Sequence, residues 1–141
     1  MYWFIAILVF MRDEEFEVLY EILRSPSISV NKLYAKLRGR VSKVKLIELV
    51  RRLREAGLVK AVSDPRHKQR LMLFLREDIQ GLAQSLLVKT INGGSDVVRE
   101  VERLVRTYIE AASKVRDPVA VEFLRKLVSE QVDSLLSAYP R

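Results

Sequence analysis

The sequence has no cysteine and a single histidine, His67. Disulfide scaffolds, cysteine-ligated zinc sites and cysteine nucleophiles are therefore excluded. One imidazole is too few for a histidine-rich metal site and a poor start for a histidine-based triad. Glycine and proline are scarce, five and four in 141 residues, so the chain is neither collagen-like nor of low complexity. The pair Gly93-Gly94 is no phosphate cradle, because no Lys-Ser/Thr follows in the needed register. No cofactor motif and no catalytic constellation emerge, and the expectation is a protein that is not an enzyme and carries no cofactor or metal. Asparagine and glutamine are also few, two and four, while sixteen Arg exceed nine Lys, a composition that fits a heat-adapted source.

What the chain does have is apolar mass and positive charge. Hydrophobic residues make up 49% and charged residues 30%, enough to bury a core, and the length suits about one domain. The net charge is +7, and it is concentrated. Residues 31–70 carry thirteen basic side chains (Lys32, Lys36, Arg38, Arg40, Lys43, Lys45, Arg51, Arg52, Arg54, Lys60, Arg66, Lys68, Arg70) against Glu48, Glu55 and Asp64, a net of +10. Residues 1–30 are net −3 and residues 71–141 neutral, with ten charges of each sign. A basic segment this confined is the electrostatic footprint of a polyanion-binding surface.

Residues 1–11 form an unbroken apolar run. It is shorter than the 20 or so residues that span a bilayer as a helix, and it lacks the basic region and small-residue cleavage site of a secretory signal. Three readings stay open: translation starting at Met11, a segment docking on the C-terminal helices, or a membrane contact, the last ranking below the others. Nothing else resembles a targeting segment, so the expected location is the cytoplasm, with no membrane association.

Hydrophobic spacing predicts a helix over 13–24, with Phe16, Leu19, Tyr20 and Leu23 inward and three acids at its start. Ser29 caps a short helix to Arg38 with Val30, Leu33 and Leu37 inward, and Gly39 turns the chain. Ser42 caps a third helix, 43–56, with an inner stripe of Leu46, Ile47, Val50 and Leu53, and Gly57 ends it. Residues 58–63 and 70–75 are β-leaning runs joined by the polar turn 64–69, a β-hairpin. Further helices are expected over 79–91, 96–116 and 118–138, the second strongly amphipathic. The fold class is thus mainly α with a small β-hairpin. It divides into the N-terminal run 1–11, a winged helix-turn-helix at 12–76, and a helical dimerisation region at 77–141.

The stretch from Tyr34-Ala35-Lys36-Leu37 through Val41-Ser42 to Leu53-Arg54-Glu55-Ala56-Gly57-Leu58-Val59 resembles the core of winged helix-turn-helix domains. Ala35 is small where helices would cross closely, Val41 can plug the turn, and Gly57 permits a sharp exit into the strand. The turn Asp64-Pro65-Arg66-His67-Lys68-Gln69 is similar to the D-x-R-D-x-R wing of the MarR family of transcription regulators, with His67 in place of the acid and Gln69 in place of the second Arg. The resemblance covers residues 28–76. It implies a homodimer on palindromic double-stranded DNA, with the third helix in the major groove, the wing on the flanking groove, and room for a small-molecule effector. PadR-like and ArsR-like winged helices fit the long C-terminal part too.

Placing Val50 at the centre of the third helix's buried face turns Lys45, Glu48 and Arg52 outward. Lys45 is then the candidate for a base edge, Lys43 for a base or phosphate, and Ser42 for a cap that also reaches a phosphate. Glu48 either accepts from a cytosine N4 or, the favoured reading, pairs with Lys45 or Arg52. Arg51, Arg52 and Arg54 are phosphate binders or salt-bridge partners, and Arg40 joins the candidate DNA-binding set. In the wing, Arg66 is the candidate for the minor groove and Lys68 for a phosphate, Arg70 is as well placed for a structural role, and His67 reads as a solvent-exposed turn residue. The competing reading of the whole is a winged helix used for protein contact or chromosome architecture, and the net +10 segment argues for DNA.

Overall fold

The computed structural model describes residues 11–89 and 94–138. The apolar run at 1–10 and the Asn92-Gly93 break lie outside the described residues. The chain forms two compact units, dividing between Gln80 and Gly81.

In the first unit, α1 (Asp13–Arg24) starts on three acids and ends on Arg24, the charge order that the helix dipole favours. It buries Phe16, Val18, Leu19, Ile22 and Leu23. Tyr20, expected inward, sits at the rim, stacked on Phe16 at 6.0 Å with the Arg24 guanidinium 5.6 Å from its ring centre. A rim position keeps the phenol hydroxyl near water while its ring covers apolar surface.

Next come β1 (Ile28–Ser29) and α2 (Val30–Lys36). Ser29 ends the strand and caps the helix, its Oγ accepting from the Lys32 N–H at 3.2 Å. So short a helix buries Leu33, with Leu37 buried at its C-cap. Ala35 lies two residues, about 200°, round from Leu33, and it is exposed rather than at a helix crossing. Gly39 takes a positive φ of 88° in the turn, and Val41 is buried behind it.

α3 (Lys43–Glu55) is capped by Ser42, whose Oγ accepts from the Lys45 N–H at 3.2 Å. Its inner face is Leu46, Leu49, Val50 and Leu53, and Ile47 points out. The set with Leu49 spans about 100° of the helix circumference, and the expected set with Ile47 about 120°. The narrower arc buries more completely against α1, α2 and the following strand. At the other end Gly57, at φ 80°, closes a Schellman motif: Leu58 N–H donates to Leu53 O at 3.0 Å and Gly57 N–H to Arg54 O at 3.0 Å. Leu53 and Leu58 are both buried, so the motif fixes the exit into the sheet.

The hairpin pairs β2 (Val59–Asp64) with β3 (His67–Leu75), and β1 adds on the other side of β3, giving an antiparallel sheet ordered β1-β3-β2. The register runs from Val59 opposite Leu75 to Ser63 opposite Leu71, then shifts at a bulge so that Asp64 faces His67. Only Pro65 and Arg66 form the turn, a tighter one than expected, and neither has a positive φ. Proline's fixed φ suits a type I turn, and the bulge absorbs the mismatch such a turn makes with strand twist. Asp64 Oδ1 accepts from the Arg66 N–H at 2.9 Å and locks the tip. Two residues of β1 carry too little pattern to be recognised in sequence, so the third strand was not expected.

α4 (Glu77–Gln84) crosses the boundary between the units, and Gln80 Nε2 donates to Leu23 O of α1 at 3.3 Å. The helix stops at Gln84, short of the expected end near 91. In the second unit the backbone of 85–89 is bound instead by side chains of α5 (Gly94–Lys114) and α6 (Pro118–Ala138). Arg103 donates to Ser85 O and Leu87 O, both at 2.8 Å, and Glu100 Oε2 accepts from Lys89 N–H at 2.7 Å. Gln131 Oε1 accepts from Val88 N–H at 2.7 Å. Groups that a helix would have satisfied internally are thus satisfied from outside. α5 and α6 pack on each other, with Leu104, Ala111, Ala120, Phe123, Leu124 and Leu127 buried.

Two outcomes follow from this packing. Leu49→Ala is expected to lower stability by about 2–5 kcal/mol, and Ile47→Ala by less than about 0.5 kcal/mol, in urea unfolding of the two variants. A larger loss for Ile47 would contradict the rotation of α3. Glu100 is buried, and the hydrogen bonds from Arg103 hold its carboxyl below the ordinary carboxylate range, outweighing desolvation and aided by the Lys89 N–H. A folded-state pKa below the unfolded one stabilises the fold above the ordinary value, and that contribution is lost as pH falls through the folded value. Glu100→Gln should therefore cost about 1–3 kcal/mol at pH 7, a cost that shrinks as pH falls below the ordinary carboxylate range. A difference that stays constant with pH would contradict the ion pair.

Candidate nucleic-acid interface

Burying Leu46, Leu49, Val50 and Leu53 decides what α3 shows to the outside. By helical phase, the line opposite the core is Val44, Glu48, Arg51 and Glu55. Lys43, Ile47 and Arg54 lie along one flank, Lys45 and Arg52 along the other. Lys45 and Arg52 are half-buried, whereas Val50-centred phasing had placed them fully outward. The shift has one cause, the exchange of Ile47 for Leu49 on the inner face.

The basic side chains fall into two groups. Some are held by acids. Arg40 pairs with Glu17 at 2.9 Å and donates to Lys36 O at 3.2 Å, Lys36 lies 3.7 Å from Glu21, Arg51 pairs with Glu55 at 3.0 Å, and Lys60 lies 3.7 Å from Glu77. The first two join α2 and its following turn to α1. Others have no acidic partner: Lys32, Arg38, Lys43, Lys45, Arg52, Arg54, Arg66 and Arg70. Of the candidate DNA-binding residues, Ser42, Lys43, Lys45 and Arg52 are therefore on α3 or its cap with their cations unpaired. Arg51 and Arg40 are exposed but ion-paired, and Arg66 stands at the tip of the hairpin. Lys68 lies on β3 two residues past the tip. Glu48 pairs with neither Lys45 nor Arg52 and has no partner, against the favoured reading of that residue.

The strands extend the same charge. Arg51 and Arg54 share a groove of about 670 Å³ with Lys60 and Val62 of β2. On the other side, His67, Gln69 and Arg70 of β3 line a cavity of about 370 Å³ with Ser29, Val30 and Asn31 at the start of α2. His67 is exposed, as expected, but it opens β3 opposite Asp64 rather than lying in the turn.

What the sequence reading missed is apolar. Val44 is 79% exposed and Ile47 53% exposed, on the helix that carries the unpaired cations. The spacing of Leu46, Leu49, Val50 and Leu53 leaves both residues outside the stripe, but the sequence permits a second stripe that takes Ile47 inward.

Three helices, the second and third joined by a tight turn, followed by a hairpin whose sheet takes in the strand before the second helix, define a winged helix-turn-helix. No family model matches the chain, and no curated protein is significantly similar to it. Among solved structures it is similar to the PcaV transcriptional regulator from Streptomyces coelicolor, crystallised in complex with its natural ligand. The TM-score is 0.45 and the identity 22%, over 85% of this chain and 75% of that one. No described helix is long and apolar enough to cross a membrane.

Proposed function

We propose that this protein is a DNA-binding transcription regulator, with α3 in the major groove and the Pro65-Arg66 turn on the flanking groove. One observation carries the reading: the unpaired cations Lys43, Lys45, Arg52 and Arg54 all sit on the helix that in this fold class enters DNA, and Arg66 tips the adjoining wing. A winged helix kept for protein contact has no need of that concentration of positive charge. Ser42 keeps its hydroxyl at the N-terminus of α3, where the helix dipole and free N–H groups favour a phosphate.

Phosphate contacts release counterions, each contributing about −0.9 to the slope of log K against log salt. With four to eight contacts per dimer, the slope on duplex DNA is expected at about −4 to −7, measured by fluorescence anisotropy across a salt series. No duplex binding at low salt, or a flat response, would defeat the proposal and favour the protein-contact class. Because Arg40 and Arg51 already pair with acids, Lys43→Ala and Arg66→Ala should flatten the slope more than Arg40→Ala.

Dimerisation through the C-terminal helices belongs to the same proposal. On α5, Val98, Val105 and Ile109 are 57%, 44% and 60% exposed and fall on one line along the helix. Apolar stripes of that kind mark interfaces between subunits. The occupant proposed is a second copy of this chain, since a recognition helix on DNA takes a twofold partner at a second half-site. Light scattering is expected to give about twice 16.3 kDa for the native chain and 16.3 kDa for Val105→Glu with Ile109→Glu. A native monomer, or a dimer unaffected by both substitutions, would overturn this surface. A small-molecule effector remains part of what the MarR resemblance implies.

A further inference from the structure

We propose that Val44 and Ile47 are the sequence-reading residues of α3, and that they take up the C5-methyl groups of thymines in the major groove. The inference rests on the DNA-binding reading above and adds to it the chemistry of the site read.

The two side chains are anomalous on this helix. Its other large apolar residues, Leu46, Leu49, Val50 and Leu53, are all buried, while Val44 and Ile47 stand 79% and 53% exposed in its N-terminal half. Nothing in the first unit covers them. They are bracketed by Lys43, Lys45 and Arg54, cations without acidic partners, so the surface around them suits a polyanion and repels an apolar partner of like charge. The N-terminal residues of a recognition helix are those that meet base edges. There, the thymine C5-methyl is the one apolar group larger than a C–H that a base edge presents. An aliphatic side chain pressed against any other edge would leave polar atoms unsatisfied.

The residue types fit as well. Valine and isoleucine are β-branched and hold essentially one χ1 rotamer in a helix, so their methyls are pre-positioned and little freedom is lost on contact. Glu48, next to Ile47 and one turn from Val44, is unpaired and outward. A carboxylate there can accept from cytosine N4 or from adenine N6, so it selects a donor edge beside the methyl contacts without choosing between the two pairs. The preference for thymine thus rests on the two aliphatic side chains, Val44 and Ile47.

The experiment selects binding sites for the full chain from a random duplex library, then replaces each thymine of the selected half-site by deoxyuridine, which removes only the methyl. Removing one methyl contact is worth about 0.8 kcal/mol, or about fourfold in affinity. The expected result is a loss of about fourfold at one or two positions per half-site for the native protein. Val44→Ala and Ile47→Ala should each bind thymine and uracil alike at one of them. Both positions are exposed and alanine favours helix, so the variants should unfold at the native temperature; the uracil series itself needs only native protein. Equal affinity for thymine and uracil probes, or a uracil penalty that persists undiminished in both variants, would overturn the inference while leaving DNA binding intact. Duplex binding with no selected consensus would overturn it in the same way. Absence of any duplex binding at low salt would instead remove the underlying functional reading.

Discussion

The angle at which α3 is seated about its own axis is the constraint on which the rest of the candidate interface depends. Four side chains fix it: Leu46, Leu49, Val50 and Leu53 fill the space against α1, α2 and β2. Once they are inside, the positions of Val44, Glu48 and Arg51 outside are no longer free. Ser42 at one end and the Schellman closure at Gly57 at the other hold the helix in register, and both are local hydrogen-bond devices. A rotation by half a residue step would exchange which cations face outward without changing the charge of the segment at all.

That is also why fold and site were unequally legible in the sequence. Element types followed from spacing, caps and breakers: α1 ends where Ser25-Pro26-Ser27 predicts, Ser29 and Ser42 both cap, and Gly39 and Gly57 both adopt positive φ. The winged-helix order is therefore legible in the sequence. The phase of α3 was not, because apolar residues at 44, 46, 47, 49, 50 and 53 permit two stripes, and tertiary packing chooses between them. The third strand was hidden for a different reason, since two residues have no periodicity. The early stop of α4 depended on Glu100, Arg103 and Gln131, side chains 11 to 43 positions away from the backbone groups they bind.

The second unit solves a different problem. Its chain between α4 and α5 has backbone groups that no regular element satisfies, and Arg103 closes them with a planar fork that reaches Ser85, Leu87 and Glu100 together. Glu100 then stays ionised though buried, because the guanidinium beside it offsets desolvation. The exposed apolar residues Val98, Val105 and Ile109 lie on the opposite side of α5. Residues 71–141 carry ten acidic and ten basic side chains, in contrast to the net +10 of residues 31–70.

The central claim is that the face built by α3 and the Pro65-Arg66 turn meets duplex DNA. Amide chemical-shift mapping of the full chain titrated with a duplex at low salt addresses it residue by residue. The account predicts perturbations over residues 42–55 and 64–70, with residues 98–109 moving little. Perturbations confined to α5 and α6, with those of α3 unchanged at saturating duplex, would contradict it.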